Sequence, residues 1–211
     1  MMFKNRVHAG ELLAQELLNL SLKNPIVLAI PRGGVVVGYQ IAKALKCPLD
    51  IIAPRKIPAP MNSEIAIGSV APDGTIFYDE SVINIMHVHP NYIEAEAKRQ
   101  LEESRRRMQY YRGKHPYPNL TNKTAIVVDD GIATGLTLKA ALHSIQNKGA
   151  LDIIIAVPVA PTETLAELRR NYKVVCLYEP ETFYAVGQFY EDFEQVNDET
   201  VIKLLNESEN I

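Results

Sequence analysis

The chain reads as an α/β fold, a parallel sheet with helices on both faces. Three observations predict it. Five short runs, Ile26–Ile30, Leu49–Ala53, Ala125–Val128, Leu151–Val157 and Lys173–Tyr178, are largely apolar and rich in β-branched residues, as strands buried on both faces require. Between most of these runs the apolar residues recur at helical spacing, and strands alternating with helices form parallel sheets. The 211 residues are 47% hydrophobic with a net charge of −3, which suits one domain with a substantial core.

In chain order, Leu12, Leu13, Leu17 and Leu20 mark an amphipathic helix over Ala9–Leu20. Pro25 introduces the first strand, which leads through Pro31-Arg32-Gly33-Gly34 into a helix ending near Leu45. The second strand, Leu49–Ala53, runs into Arg55-Lys56. Arg55–Asn62 carries two prolines and no periodicity, so it is expected to be a loop. Glu64–Ala71 and Thr75–Tyr78 predict a hairpin around Pro72-Asp73-Gly74. Tyr92–Gly113 predicts a long charged helix, with Glu94/Lys98 and Glu102/Arg106 spaced to pair. Its Arg105-Arg106-Arg107 cluster suits a solvated face, an oligomer contact or a nucleic-acid surface. His87 and His89 precede this helix and are expected at the surface. Leu151–Val157, a helix over Pro161–Asn171 and Lys173–Tyr178 complete the core.

The chemistry concentrates in Ala125–Leu138, AIVVDDGIATGLTL. A buried strand, a pair of acids, a Gly/Thr loop and a helix carrying Leu138, Ala141, Leu142 and Ile145 make an anion cradle. The helix start leaves N–H groups unpaired, and glycine lets the loop backbone approach a phosphate. Thr134 and Thr137 add hydroxyl donors. Asp129 and Asp130 would repel phosphate, so they suit hydroxyl groups or a divalent cation beside it. A ligand with phosphate, vicinal hydroxyls and a metal is a ribose phosphate; a βα turn with solvated acids is the simpler alternative. The Gly-Lys-Ser/Thr ending of a P-loop and the three spaced glycines of a dinucleotide fold are both absent. Ligands of open parallel sheets sit beyond the carboxyl ends of the strands, where PRGG, the segment from Arg55 and DDGIATG would converge. PRGG can offer backbone amides and a guanidinium to one anion, or be a tight turn with a surface arginine.

VVDDGIATGLT resembles the phosphoribosyl pyrophosphate (PRPP) motif of type I phosphoribosyltransferases. That resemblance implies their fold, with a β-hairpin flexible loop and a small hood, here the N-terminal helix and residues 179–211 around a core of about 24–178. It implies that Asp129 and Asp130 hold the ribose hydroxyls, that Ala133, Thr134, Gly135, Leu136 and Thr137 hold the 5′-phosphate, and that Gly131 binds PRPP with them. Arg32, Gly33 and Gly34 would hold pyrophosphate, with a strained or cis peptide in that loop. Lys56, or Arg55, would neutralise charge on departing pyrophosphate, so Lys56, Asp129 and Asp130 are the implied catalytic groups. YAVGQFYEDF resembles the hood of purine phosphoribosyltransferases, where Phe183 or Tyr184 would stack on a base beside Val186. Glu191 or Asp192 would join Asp129 and Asp130 in binding Mg²⁺ with pyrophosphate. Over nearly its whole length the chain is similar to a bacterial and archaeal group of predicted phosphoribosyltransferases. The shared residues include Phe3, Arg6, Ala9 and Gly10, PRGG, RKI, Glu64–Gly68 and FYAVGQFYEDF.

The implied reaction transfers ribose 5-phosphate from PRPP to a nitrogen nucleophile, a nucleobase, with release of pyrophosphate. Several 6-oxopurine enzymes of the family carry an aspartate where this chain has Ala133, so a carboxylate base at that point is missing. A PRPP-binding regulator without turnover is the alternative. PRPP synthesis would need two such domains and an ATP site. The slight acidity argues against nucleic acid as a partner. Cys47 and Cys176 lie beside apolar segments and suit buried thiols rather than a metal site or disulfide framework. With no signal-like or membrane-length apolar run, the expectation is a cytoplasmic homodimer acting on PRPP and a small-molecule acceptor.

Overall fold

The computed structural model describes residues 2–211. In chain order the elements are α1 (Arg6–Leu18), β1 (Ile26–Ala29), α2 (Gly33–Leu45), β2 (Leu49–Ile51), β3 (Arg55–Pro58), β4 (Ala66–Val70), β5 (Ile76–Tyr78) and α3 (Glu80–Ile85). They continue with α4 (Pro90–Arg112), β6 (Thr124–Val128), α5 (Leu136–Asn147), β7 (Asp152–Val159), α6 (Thr162–Leu168), β8 (Lys173–Tyr178), a 3₁₀ turn (Val186–Phe189) and α7 (Asp198–Ser208). They fall into two compact units. One comprises the residues up to Ile51, Pro116–Ala133 and Lys148–Ile211; the other comprises Ile52–His115 and Thr134–Asn147.

The first unit holds a five-stranded sheet of order β2-β1-β6-β7-β8, parallel throughout. This is the α/β architecture that the apolar runs predict. Every residue of β1 and β6 is buried, as central strands covered on both faces must be. Glycine lets the helices approach closely. A Cβ on Gly10 of α1 would lie 2.7 Å from the Val37 carbonyl oxygen of α2, and one on Gly38 would meet the Ala29 methyl at 3.0 Å. A second, aromatic cluster gathers Phe3, Ala9, Val159, Phe189 and Tyr190, with Phe183, Val186 and Phe193 packed against it. The N-terminal segment is tied to this cluster through its backbone. Phe3 N–H donates to Phe189 O at 2.8 Å, and the amides of Glu191 and Asp192 donate to Phe3 O and Lys4 O at 2.8 and 3.0 Å.

The second unit holds an antiparallel sheet of order β3-β4-β5, whose β4–β5 hairpin turns where Pro72-Asp73-Gly74 predicts. Its core joins Ile57, Ile67 and Val70 to Val88 and Ala97. Arg55–Pro58 corrects the expectation of a loop, because it forms β3, with Arg55 opposite Val70 and Lys56 opposite Ser69. Its proline is tolerated because β3 is an edge strand and its register shifts at Ile57/Pro58, so Pro58 falls at an irregularity. Helices α3 and α7 were not anticipated from the sequence. Each is announced by a polar N-cap: the side chains of Asp79 and Asn197 accept from Val82 N and Thr200 N.

The buried Ser69 hydroxyl donates to Leu136 O at 2.7 Å, joining β4 to the first residue of α5. Ser69→Ala should lower stability by about 1 kcal/mol, because it removes a buried hydrogen bond between β4 and α5. Thermal unfolding monitored by circular dichroism reads this directly.

Candidate active site

β1 and β6 are parallel neighbours with Ala29 opposite Val128, so PRGG and Asp129-Asp130 leave the sheet side by side. Ile30 N–H donates to Val128 O at 2.8 Å, carrying the pairing one step past the strands. The Pro31–Arg32 peptide is cis, as the resemblance implied. Glycine at the next two positions is what permits this close packing. A Cβ on Gly33 would fall inside the van der Waals shell of Asp130 Oδ2 and 2.7 Å from Arg6 Nε. On Gly34 it would lie 2.8 Å from Val128 O and 2.9 Å from Asp129 Cα. The two loops are therefore one packed object, although nearly a hundred residues separate them.

The two acids differ. Asp129 accepts the backbone N–H of Asp130 at 2.8 Å, and burial together with the adjacent Asp130 charge pushes its pKa well up. Asp130 is gripped from two sides. Arg6 Nε donates to its Oδ2 at 2.7 Å, with side chains 11% and 16% exposed, and the Tyr190 hydroxyl donates to its backbone oxygen at 2.6 Å. Burial and the Asp130 charge raise the Tyr190 pKa, so that hydroxyl stays a donor. Arg32 lies 3.7 Å from Asp198, a loose pair at half-exposed positions that leaves its guanidinium available to a ligand. Gly131 sits against Val186, whose Cγ2 would be 2.9 Å from an added Cβ. The exposed Ala133 accepts the Thr164 hydroxyl at 2.7 Å through its carbonyl.

Of the residues matched to a base-binding hood, Phe183 is half-buried against Phe189, with ring centroids 5.4 Å apart. Tyr184 is 86% exposed and its ring is the one open to a ligand. The side chain of Gln188 orders this turn by accepting the amides of Tyr184 and Ala185 at 2.8 and 3.1 Å. Glu191 and Asp192 carry exposed carboxylates on the segment bonded to Phe3 and Lys4. Among the described residues no group of three or more His, Cys, Asp or Glu is arranged as a metal cage. The Asp129-Asp130 pair nevertheless suits Mg²⁺, a hard cation that is commonly held by one or two carboxylates plus substrate phosphates and water.

In the second unit, Gly135 adopts φ +69, a left-handed conformation that favours glycine, and α5 begins at the next residue. The Thr134 hydroxyl accepts Leu136 N–H at 3.4 Å, and Thr137 lies in the first turn. The helix start thus has the form of an anion site. Along β3 the side chains alternate. Arg55 and the buried Ile57 face α4, where Arg55 Nε donates to Gln100 Oε1 at 3.1 Å. Lys56 points to the opposite face with its register partner Ser69, whose hydroxyl reaches the start of α5. Burial and the charge of Arg107 lower the Arg55 pKa. The triple arginine is internally engaged: Arg105 donates to Pro72 O, and Arg106 and Arg107 share Glu103.

The family model for the phosphoribosyl transferase domain matches residues 4–194. This chain belongs to the phosphoribosyl transferase family. Members of that family are pentosyltransferases. Two curated proteins of Mycobacterium tuberculosis strains, carrying a provisional phosphoribosyl transferase name, are each 39% identical over 97% of this chain. The chain spans 46% of their length, about half of the relatives it matches. A crystallised protein of Thermus thermophilus is 40% identical, with 98% of this chain and 99% of that one aligned at a TM-score of 0.84. An adenine phosphoribosyl transferase of Trypanosoma brucei, solved with AMP, pyrophosphate and ribose-5-phosphate, shares the fold at 13% identity. It covers 90% of this chain and 70% of its own, with a TM-score of 0.51. Two residues of this phosphoribosyl transferase domain that carry no role in the sequence motifs, Arg6 and Tyr190, both contact Asp130. Arg6 stood in the opening motif and Tyr190 in the aromatic tail, yet neither spacing pointed to Asp130.

Proposed function

We propose that this protein transfers ribose 5-phosphate from PRPP to a nitrogen nucleophile, most naturally a nucleobase, and releases pyrophosphate. One observation carries the reading. The glycine pair after β1 is packed directly on the acid pair after β6, which supports reading the loop as a pyrophosphate cradle beside carboxylates that would bind hydroxyl groups. In the reaction the nucleophile bonds to the anomeric carbon while the bond from that carbon to pyrophosphate breaks; pyrophosphate leaves with the electron pair, and the nitrogen's proton passes to solvent. Asp129 and Asp130 would fix the ribose hydroxyls and favour positive charge on the ring. The amides of Gly33 and Gly34 and the Arg32 guanidinium would hold pyrophosphate, with Lys56 neutralising its growing charge. The start of α5, with Thr134 and Thr137, would bind the 5′-phosphate, a remote handle whose binding energy aligns the reacting centre. Mg²⁺, held by Asp129 and Asp130, would offset pyrophosphate charge. The exposed ring of Tyr184 would stack on the acceptor.

Isothermal titration with PRPP, with and without Mg²⁺, tests this reading. The wild type should bind in a magnesium-dependent manner, and the Asp129→Asn/Asp130→Asn double variant should not. A pyrophosphate-release screen over nucleobases then identifies the acceptor. A folded wild type that fails to bind PRPP would sink the reading. PRPP binding without turnover on any base would instead make the protein a regulator.

A further inference from the structure

The opening motif Phe3-x-x-Arg6-x-x-Ala9-Gly10 has packing work to do through Phe3, Ala9 and Gly10, but packing does not account for Arg6. Its guanidinium makes three contacts at once. Nε donates to Asp130 Oδ2 at 2.7 Å, Nη1 donates to the Glu194 carbonyl at 2.8 Å, and the plane lies 3.8 Å from the centroid of the Phe193 ring. Such a fork, fixed on a stacked plane, sets the direction of its bond to the carboxylate, which a lysine ammonium would not. The Gly33 backbone closes the remaining side, since even a methyl group there would meet both Asp130 and Arg6. Asp130 therefore has one oxygen bonded, its backbone carbonyl tied by Tyr190, and little freedom to rotate.

We propose that Arg6 is a positioning residue that sets the sugar specificity of the site. By holding Oδ2 it presents the Asp130 carboxylate in one fixed orientation to a ribose hydroxyl, and thereby lets the protein reject sugar phosphates lacking that hydroxyl. The inference rests on the ribose-phosphate reading above. A carboxylate free to turn would find water or a neighbouring donor in place of the missing hydroxyl, whereas a fixed one is left unpaired, and that penalty is the source of discrimination.

The test is a calorimetric comparison of ribose 5-phosphate with 2-deoxyribose and 3-deoxyribose 5-phosphates. Wild type should bind ribose 5-phosphate about tenfold or more tightly than at least one deoxy sugar. Arg6→Gln should weaken ribose 5-phosphate by about tenfold while leaving that deoxy sugar nearly unchanged, so the discrimination collapses. In an Asp130→Asn background the same Arg6 change should have no further effect, because the two act through one contact. Arg6→Lys keeps the charge without the fork and should lose part of the discrimination; it carries the test if Arg6→Gln does not fold. If Arg6 merely anchors the N-terminal segment, all three sugars weaken equally and the loss persists without Asp130, which overturns the proposal. Wild type that binds all three sugars alike overturns the proposal alone, and wild type that binds PRPP and the sugar phosphates not at all overturns the functional reading with it.

Discussion

Gly33→Ala is expected to cost about 2–3 kcal/mol of stability and to weaken PRPP binding by about tenfold or more. The added methyl would lie 2.6 Å from Asp130 Cγ and 2.7 Å from Arg6 Nε. Neither group can step aside cheaply, since Arg6 is anchored at Glu194 and over Phe193, while the Asp130 backbone is held by Tyr190. The protein must either part the ion pair or displace the loop that offers its amides to an anion. Parting a buried pair costs about 3–5 kcal/mol. The figure is reduced here because the side chains keep 11% and 16% of their exposure, and a partly wet pair is screened. Titration with PRPP reads the affinity, and thermal unfolding of the same sample separates loss of fold from loss of site. Undiminished binding would show that PRGG does not seat the ligand.

Lys56→Ala should lower kcat by about 10²–10³ with little change in PRPP affinity, as expected for a charge that acts on the leaving group in the transition state. Arg55→Ala should differ in kind. Arg55 faces α4 and donates to Gln100, so its loss should lower the unfolding temperature and leave kcat within a few-fold of wild type. Steady-state kinetics with the acceptor found by the screen, beside thermal unfolding of both variants, separates the neighbours. A kcat loss confined to Arg55→Ala would reverse the assignment. The sequence offers either residue for the role, and the alternation of one edge strand puts the two on opposite faces.

The parallel sheet was legible because its strands are continuous apolar runs, and β8 occupies Lys173–Tyr178 as its composition implies. The rim loops were legible because they join glycines to charge at strand ends. What escaped was what tertiary contact decides. Arg55–Pro58 reads as a loop until β4 is there to pair with it, and its proline carries no signal that the strand lies at an edge. Helix α7 hides in an acidic tail whose residues bury little beyond Val201 and Ser208. Arg6 and Asp130 stand 124 positions apart, and no local pattern links an arginine in the first helix to a carboxylate after the sixth strand.

The bonds between Phe3 and residues 189–191 have a consequence for biosynthesis. At about 5–20 residues per second, the ribosome needs roughly ten to forty seconds to make the stretch that separates Phe3 from its partner. Until then Phe3, fully buried at the end, is an exposed aromatic on a nascent chain, and Arg6 lacks both Glu194 and Phe193. The acid pair can be held in its finished form only after the aromatic tail has been translated, so a product truncated or stalled before that tail would leave Asp130 loosely held even with PRGG and the acid pair already present.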